Sequence, residues 1–215
     1  MSDPGASSRG PSGSAPLPPD WLGEIDLPLQ TVAAETTFYR IHRLELGPVF
    51  FGPGQGRAPV YRFDSLSRRF GVLYLGFALA GALVETVLRN PARRMVPVAH
   101  VGERGVSILR CRRPLRLVTM HGAGLQAVGT DNAIATGPYD PCGAWSDALW
   151  DHPEKPDGLI YASRHDPAEL CAALFERPGL AGAFGIGLAE PLLARPSELA
   201  QLLKRYRKSL DDPAR

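Results

Sequence analysis

Five polar side chains stand inside, or at the ends of, otherwise apolar stretches: Arg40, Arg62, Tyr74, Glu85 and Ser163. Together these types suit one kind of chemistry. Two arginines can hold a diphosphate through bidentate, charge-assisted hydrogen bonds. A tyrosine ring offers a flat face on which a heteroaromatic ring can stack. A carboxylate can stabilise a sugar oxocarbenium ion and orient an incoming nucleophile. A serine can anchor a strand end or bond to a ribose or an amide. Each residue also has a plain reading. Arg40 and Arg62 suit surface cations, Tyr74 suits a core aromatic with its hydroxyl at the rim, and Ser163 suits a turn. Glu85 suits the solvated side of an amphipathic helix.

The elements that must position them begin with Val60 to Asn90. A polar run, Tyr61-Arg62-Phe63-Asp64-Ser65, leads into Gly71-Val72-Leu73-Tyr74-Leu75. That short apolar run, bounded by Gly71 and Gly76, reads as a buried strand. From Phe77 to Leu88 the pattern is helical, with a stop at Asn90-Pro91. Glu85 is the charge within that helix and shares a face with Ala78, Gly81 and Ala82. Those small residues leave room for a close neighbour, either backbone or ligand.

Elsewhere, Met1 to Asp20 is Ser-, Gly- and Pro-rich and reads as a disordered leader, with Trp21 as the first anchor. Leu27 to Ala34 reads as a connection. Thr36 to His42 alternates like a strand, with Phe38 and Arg40 on one side and Tyr39 and Ile41 on the other. Leu46 to Pro59 is a Gly- and Pro-rich loop of the length that often binds or covers a ligand. Short strands are expected at Met95–Ala99, Gly105–Arg110 and Leu115–Val118. His121 to Ala135 reads as a loop with a short helix, Gly137 to Asp147 as turns, and Trp145 to Asp151 as part of a helix. Gly158 to Ser163 is a second buried strand. Asp166-Pro167-Ala168-Glu169 carries a helix-start pattern, so Ala168 to Glu176 reads as a helical turn leading into a strand. A last helix, capped at Ser197 or the residue before it, runs to Lys208.

Composition narrows the class. With 215 residues, 44% of them hydrophobic, the chain suits one domain with a sizeable core. Its 24 basic and 22 acidic residues give no electrostatic argument for nucleic acid or an anionic membrane. No apolar run is long enough to span a bilayer, and the N-terminus lacks a secretory pattern, so a cytoplasmic, bacterial-type protein is expected. The spacing of Cys111, Cys142 and Cys171 suits free thiols in a reducing compartment, and no metal site is expected. Walker, G-x-G-x-x-G, H-E-x-x-H and G-x-S-x-G patterns are missing.

Several short pieces occur in order: Phe38-Tyr39-Arg40-Ile41, Tyr61-Arg62-Phe63-Asp64, Gly71 to Leu75, Ala82-Leu83-Val84-Glu85-Thr86, Gly158 to Arg164, and Ala173-Leu174-Phe175. On these the sequence resembles the RES family, toxins of bacterial toxin–antitoxin pairs named for arginine, glutamate and serine. The likeness covers roughly Thr37 to Glu176. It implies an α+β fold, an ADP-ribosyltransferase-like mixed sheet flanked by helices, in a single domain over residues 21–210. It also implies a consumer of NAD that cleaves the nicotinamide–ribose bond by phosphorolysis or hydrolysis. NAD would be substrate rather than cofactor, and phosphate a possible co-substrate. By the same resemblance Glu85, Arg62 and Tyr74 are catalytic. Arg40 and Arg62 bind the phosphates, with Tyr39 beside them on the substrate. Tyr74 packs on the nicotinamide or its ribose, and Ser163 stands near that ribose. The partner implied is a small Xre-like helix-turn-helix antitoxin whose C-terminal end plugs the cleft, and a homodimer is compatible. Two other functions fit the same residues: ADP-ribose transfer to a macromolecule, and nucleotide binding without turnover. Tyr61 departs from the family, many members carrying glycine there, and 121–157 and the last helix exceed a minimal member.

Overall fold

Strand β3 (Val72–Gly76) turns directly into helix α1 (Leu79–Thr86), and the rest of the chain packs around that unit. The turn requires a glycine. A Cβ on Gly76 would lie 2.7 Å from both the Ala78 carbonyl oxygen and the Ala82 nitrogen. The helix is shorter than the apolar pattern from Phe77 to Leu88 implies, running from Leu79 to Thr86. Its small face meets backbone and side chains of the sheet, since a Cβ on Gly81 would lie 3.4 Å from Cys171 Sγ. At Gly81 the close neighbour is therefore protein.

This computed structural model describes residues 13–211. Its main sheet has eight strands. They run in space as β1 (Leu29–Val32), β6 (Leu115–Met120), β7 (Gly158–Ala162), β8 (Leu170–Phe175), β3, β2 (Thr37–Arg43), β5 (Arg104–Cys111) and β9 (Phe184–Pro191). Every neighbouring pair is antiparallel except β6 with β7. Parallel neighbours need a long crossover. Here it is the segment 121–157, which holds α3 (Ala123–Val128), α4 (Ala133–Thr136) and α5 (Asp140–Asp151). The turns expected over 137–147 are thus largely helix. Asp140 and Pro141 open α5, where an acid suits the dipole and the proline ring presets φ.

Strands β7 and β8 are apolar along their length because both faces are covered. Leu159, Tyr161, Ala173 and Phe175 pack toward Trp145 and Leu149 of α5. Ile160, Ala172 and Leu174 pack oppositely, with Phe38, Leu73 and Phe184. This two-sided burial is why the start signal at Asp166–Glu169 yields only a turn. The six residues that follow are a strand, and a short apolar run carries no period that separates strand from helix. Leu29–Val32, read as a connection, is edge strand β1.

A third cluster joins Leu83 and Val84 of α1 to Val101, Val106, Leu199 and Leu203, the last two on α6 (Pro196–Arg205). Ser197 does not cap α6. Pro196 occupies its first turn, and Arg195 at the cap position pairs with Glu190 and Glu198. The helix ends at Arg205, short of the expected Lys208. Strand β10 (Ser209–Asp211) then pairs in parallel with β4 (Met95–Pro97), which leads into α2 (Val98–Gly102).

The expected leader is partly corrected. Residues 1–12 lie outside the described residues, but the segment from Ala15 is packed, with Ala15 only 2% exposed. The Pro16 carbonyl accepts the indole N–H of Trp145 at 2.8 Å. Trp145 is fully buried and its N–H needs an acceptor, which this proline-rich strap supplies. Trp21 docks against Gly129, where a Cβ would lie 2.8 Å from its ring. No helix among the described residues is long and apolar enough to cross a membrane.

Candidate active site

Tyr39, Arg40, Arg62, Tyr74 and Glu85 line one cavity of about 470 Å3. Ser163 does not line it. It stands behind Glu85, 1% exposed, and donates its hydroxyl hydrogen to Glu85 Oε1 at 2.5 Å. The serine is itself fixed, since its Oγ accepts the backbone N–H groups of His165 and Asp166 at 3.1 and 3.4 Å. Glu85 leaves α1 in the helix's last turn. One carboxylate oxygen is thus oriented by a neutral donor. Among the described residues nothing bonds to the other.

Arg62 is held by the crossover. Its Nη1 donates to the carbonyls of Ile134 and Gly137 at 3.2 and 2.9 Å, and its guanidinium lies 4.5 Å from the Tyr139 ring centre. Its Nη2 is buried and has no acceptor in the described protein. A guanidinium N–H left without an acceptor is costly. Tyr139 and the two carbonyls are invisible to spacing arguments because they lie some 75 residues along the chain from Arg62.

Tyr74 uses its hydroxyl structurally. It donates to Asp64 Oδ1 at 3.0 Å and accepts the Phe63 N–H at 2.9 Å. Asp64 Oδ2 gathers the N–H groups of Val60 and Tyr61 at 2.8 and 2.6 Å. This knot shapes the run that carries Arg62. Burial pushes the Tyr74 hydroxyl well above the usual phenol range, and the charge of Asp64 pushes it further. The hydroxyl is therefore no base, and what Tyr74 offers the cavity is its ring. Burial also raises the Asp64 carboxyl, opposed by the hydrogen bonds of Tyr61, Val60 and Tyr74. Asp64 belongs to the Tyr61–Asp64 run, yet nothing in its spacing marks it as the hub.

Arg40, expected to bind the phosphates, is held by backbone carbonyls. Its Nη1 donates to the carbonyls of Gly47 and Pro48 at 2.9 and 2.7 Å, and its Nη2 to that of Phe50 at 3.2 Å. Burial pushes its pKa down to about 10. It lies on the cavity wall, but these donors hold the loop. Among the cavity residues to which the sequence assigns no role are Arg89, whose Nη2 donates to the Tyr139 hydroxyl at 2.9 Å, Arg164, and Tyr161. Arg164 directly follows Ser163, the one signal that could have found it.

A sequence model described as the RES domain matches residues 37–187. The chain belongs to the RES domain family. The match takes in Tyr39, Arg40, Arg62, Tyr74, Glu85 and Ser163 and leaves α6 and β10 outside it. Among curated proteins, "Probable toxin y4kH" of Sinorhizobium fredii (strain NBRC 101917 / NGR234) is 34% identical over 115 residues, covering 52% of this chain and 86% of that protein. Among solved structures, a chain of the M. tuberculosis MbcT–MbcA toxin–antitoxin complex superposes with a TM-score of 0.58 at 14% identity, over 82% of this RES chain and 91% of that one. At that identity the likeness is one of fold.

Proposed function

We propose that this RES protein cleaves the nicotinamide–ribose bond of NAD, with phosphate or water as acceptor, and is the toxin of a toxin–antitoxin pair. One observation carries the reading: Arg62, Tyr74 and Glu85 share a single cavity, and a buried serine orients the carboxylate. Family membership and the names of the two relatives support the toxin role.

The chemistry asks little of the protein. The nicotinamide of NAD is already a cationic leaving group, so no general acid is required. Positive charge builds on the ribose as the bond stretches, and a fixed carboxylate stabilises it electrostatically. Glu85 takes that role. Arg62 supplies the free Nη2 to the diphosphate. Tyr74 presents its ring to the nicotinamide or its ribose. Arg40 adds positive charge and keeps the 47–50 segment folded over the wall, and Tyr39 lines the wall beside it. A small helix-turn-helix antitoxin, its C-terminal end in this cavity, is the partner.

The test is incubation of the full chain with labelled NAD, with and without phosphate, and chromatography of the products. Free nicotinamide with ADP-ribose, or with its phosphate ester, is expected. Intact NAD overturns the reading, and label carried on a macromolecule replaces it with ADP-ribose transfer.

A further inference from the structure

Helix α5 meets the run that carries Arg62 along one stripe. Gly143, Ser146 with Asp147, and Trp150 with Asp151 recur at helical spacing, so they share one side of α5. Each level faces a successive part of the run. The backbone lies against Gly143, where a Cβ would be 2.9 Å from the Asp64 carbonyl oxygen. Ser146 is fully buried and donates its hydroxyl to the Phe63 carbonyl at 2.7 Å. A serine inside a helix can instead turn back to the carbonyl four residues earlier. Here that contact, to Cys142, is the longer one at 3.2 Å. Asp147 accepts the Ser65 hydroxyl at 2.6 Å and the Ser67 N–H at 2.7 Å. Asp151 accepts from both terminal nitrogens of Arg69 at 2.8 and 2.7 Å, and Trp150 stacks on Phe70 with ring centres 4.2 Å apart. None of these α5 residues lines the cavity.

We infer that α5 is a splint that aims Arg62, with Ser146 and Asp147 as its positioning residues, and that this is a role of the long crossover. The same segment grips the far end of the side chain. Arg62 Nη1 bonds to the carbonyls of Ile134 and Gly137 and lies 3.6 Å from Cys142 Sγ. The root and the tip of Arg62 are thus both referenced to residues 134–147, and the direction of Nη2 follows from the two together. An arginine fixed at one end alone swings on its long stem, and a misplacement of about 1 Å at a binding group removes much of its effect. The splint is itself seated, since Trp145 bonds to the Pro16 carbonyl of the N-terminal strap. The consequence for NAD rests on the function proposed above; the positioning does not.

Two arms test this on the full chain. The first needs no NAD. A guanidinium held at both ends gives resolved side-chain N–H resonances, and the one that Arg62→Lys removes belongs to Arg62. Ser146→Ala and Asp147→Ala are each expected to broaden it. Asp147→Asn keeps an acceptor for the Ser67 N–H and restores most of it. In the second arm, NAD turnover by Ser146→Ala and by Asp147→Ala shows KM for NAD raised on the order of tenfold with kcat nearly unchanged. Asp147 is partly exposed, so its variants keep the fold where the change at buried Ser146 does not. Val32→Ala, a buried truncation in the cluster on the other face of the sheet, lowers the melt and leaves KM where it is. An Arg62 resonance unchanged in Asp147→Ala overturns the inference even if NAD is cleaved. So does a rise in KM that Val32→Ala reproduces, or a loss of kcat with KM unchanged. A broadened resonance with NAD left intact by the parent chain keeps the positioning and overturns the function it serves.

Discussion

The two ends of the first cavity are built differently. At one end Glu85 is set by a buried serine, which two backbone N–H groups fix in turn, so a charged side chain is oriented but not neutralised. At the other end Arg40 gives its terminal nitrogens to three carbonyls of one loop, so a charged side chain serves as structure. Arg62 lies between these cases, anchored through Nη1 and free at Nη2. A charge that is held yet unspent is the one suited to act on a substrate. Under the proposed function the contrast ranks the polar residues: Glu85 for chemistry, Arg62 for binding and Arg40 for shape.

The largest expected effect follows from the carboxylate end. Glu85→Gln keeps the shape and can still accept from Ser163, but it removes the charge. NAD loss should fall on the order of a hundredfold or more, as when a key electrostatic group is lost, with the thermal melt unchanged. Near-normal turnover would remove the basis for ranking the two ends. Next, Arg62→Ala should weaken NAD binding, on the order of tenfold or more, because the free guanidinium donor disappears. Titration of NAD into the variant checks this, and unchanged affinity would move the phosphate role elsewhere. Arg40→Ala comes third. It frees the carbonyls of Gly47, Pro48 and Phe50, which water reaches in part, so stability should drop by roughly 0.5–1.5 kcal/mol and amides of that loop should exchange faster. If NAD affinity falls while loop exchange is unchanged, Arg40 is a ligand contact after all and the contrast between the ends is wrong.

The same contrast separates what was legible in the sequence from what was not. The strand at 72–76, the helix bearing Glu85 and the strand ending beside Ser163 follow from short apolar runs bounded by glycine or polar turns. The five polar residues stood out because their neighbours are apolar, and the cavity gathers four of them with Ser163 directly behind. The acceptors chosen by Arg40 and Arg62 were illegible. They are backbone carbonyls, which every residue carries, and only tertiary structure selects among them. The strand nature of Leu170–Phe175 and the extent of α5 were hidden for a related reason. Burial on both sides erases the period that a one-sided element displays.

The smallest effect concerns Asp64, which fixes the run between the two ends. Its carboxyl is fully buried, and burial raises its pKa in the folded state despite the N–H groups gathered on it. A raised carboxyl binds its proton more tightly folded than unfolded, so its contribution is complete below the ordinary carboxylate range. That contribution is lost as pH rises from there through the raised value. Asp64→Asn removes the titration and keeps an oxygen for the Val60 and Tyr61 N–H groups and an amide toward the Tyr74 hydroxyl. Thermal melts across mildly acidic pH should therefore flatten in the variant, with the parent losing stability relative to it toward neutrality. A steeper slope in the variant would mean that Asp64 is stabilised as the anion, and the knot that positions Arg62 would then be ionic, closer in kind to the Glu85 end than to the loop.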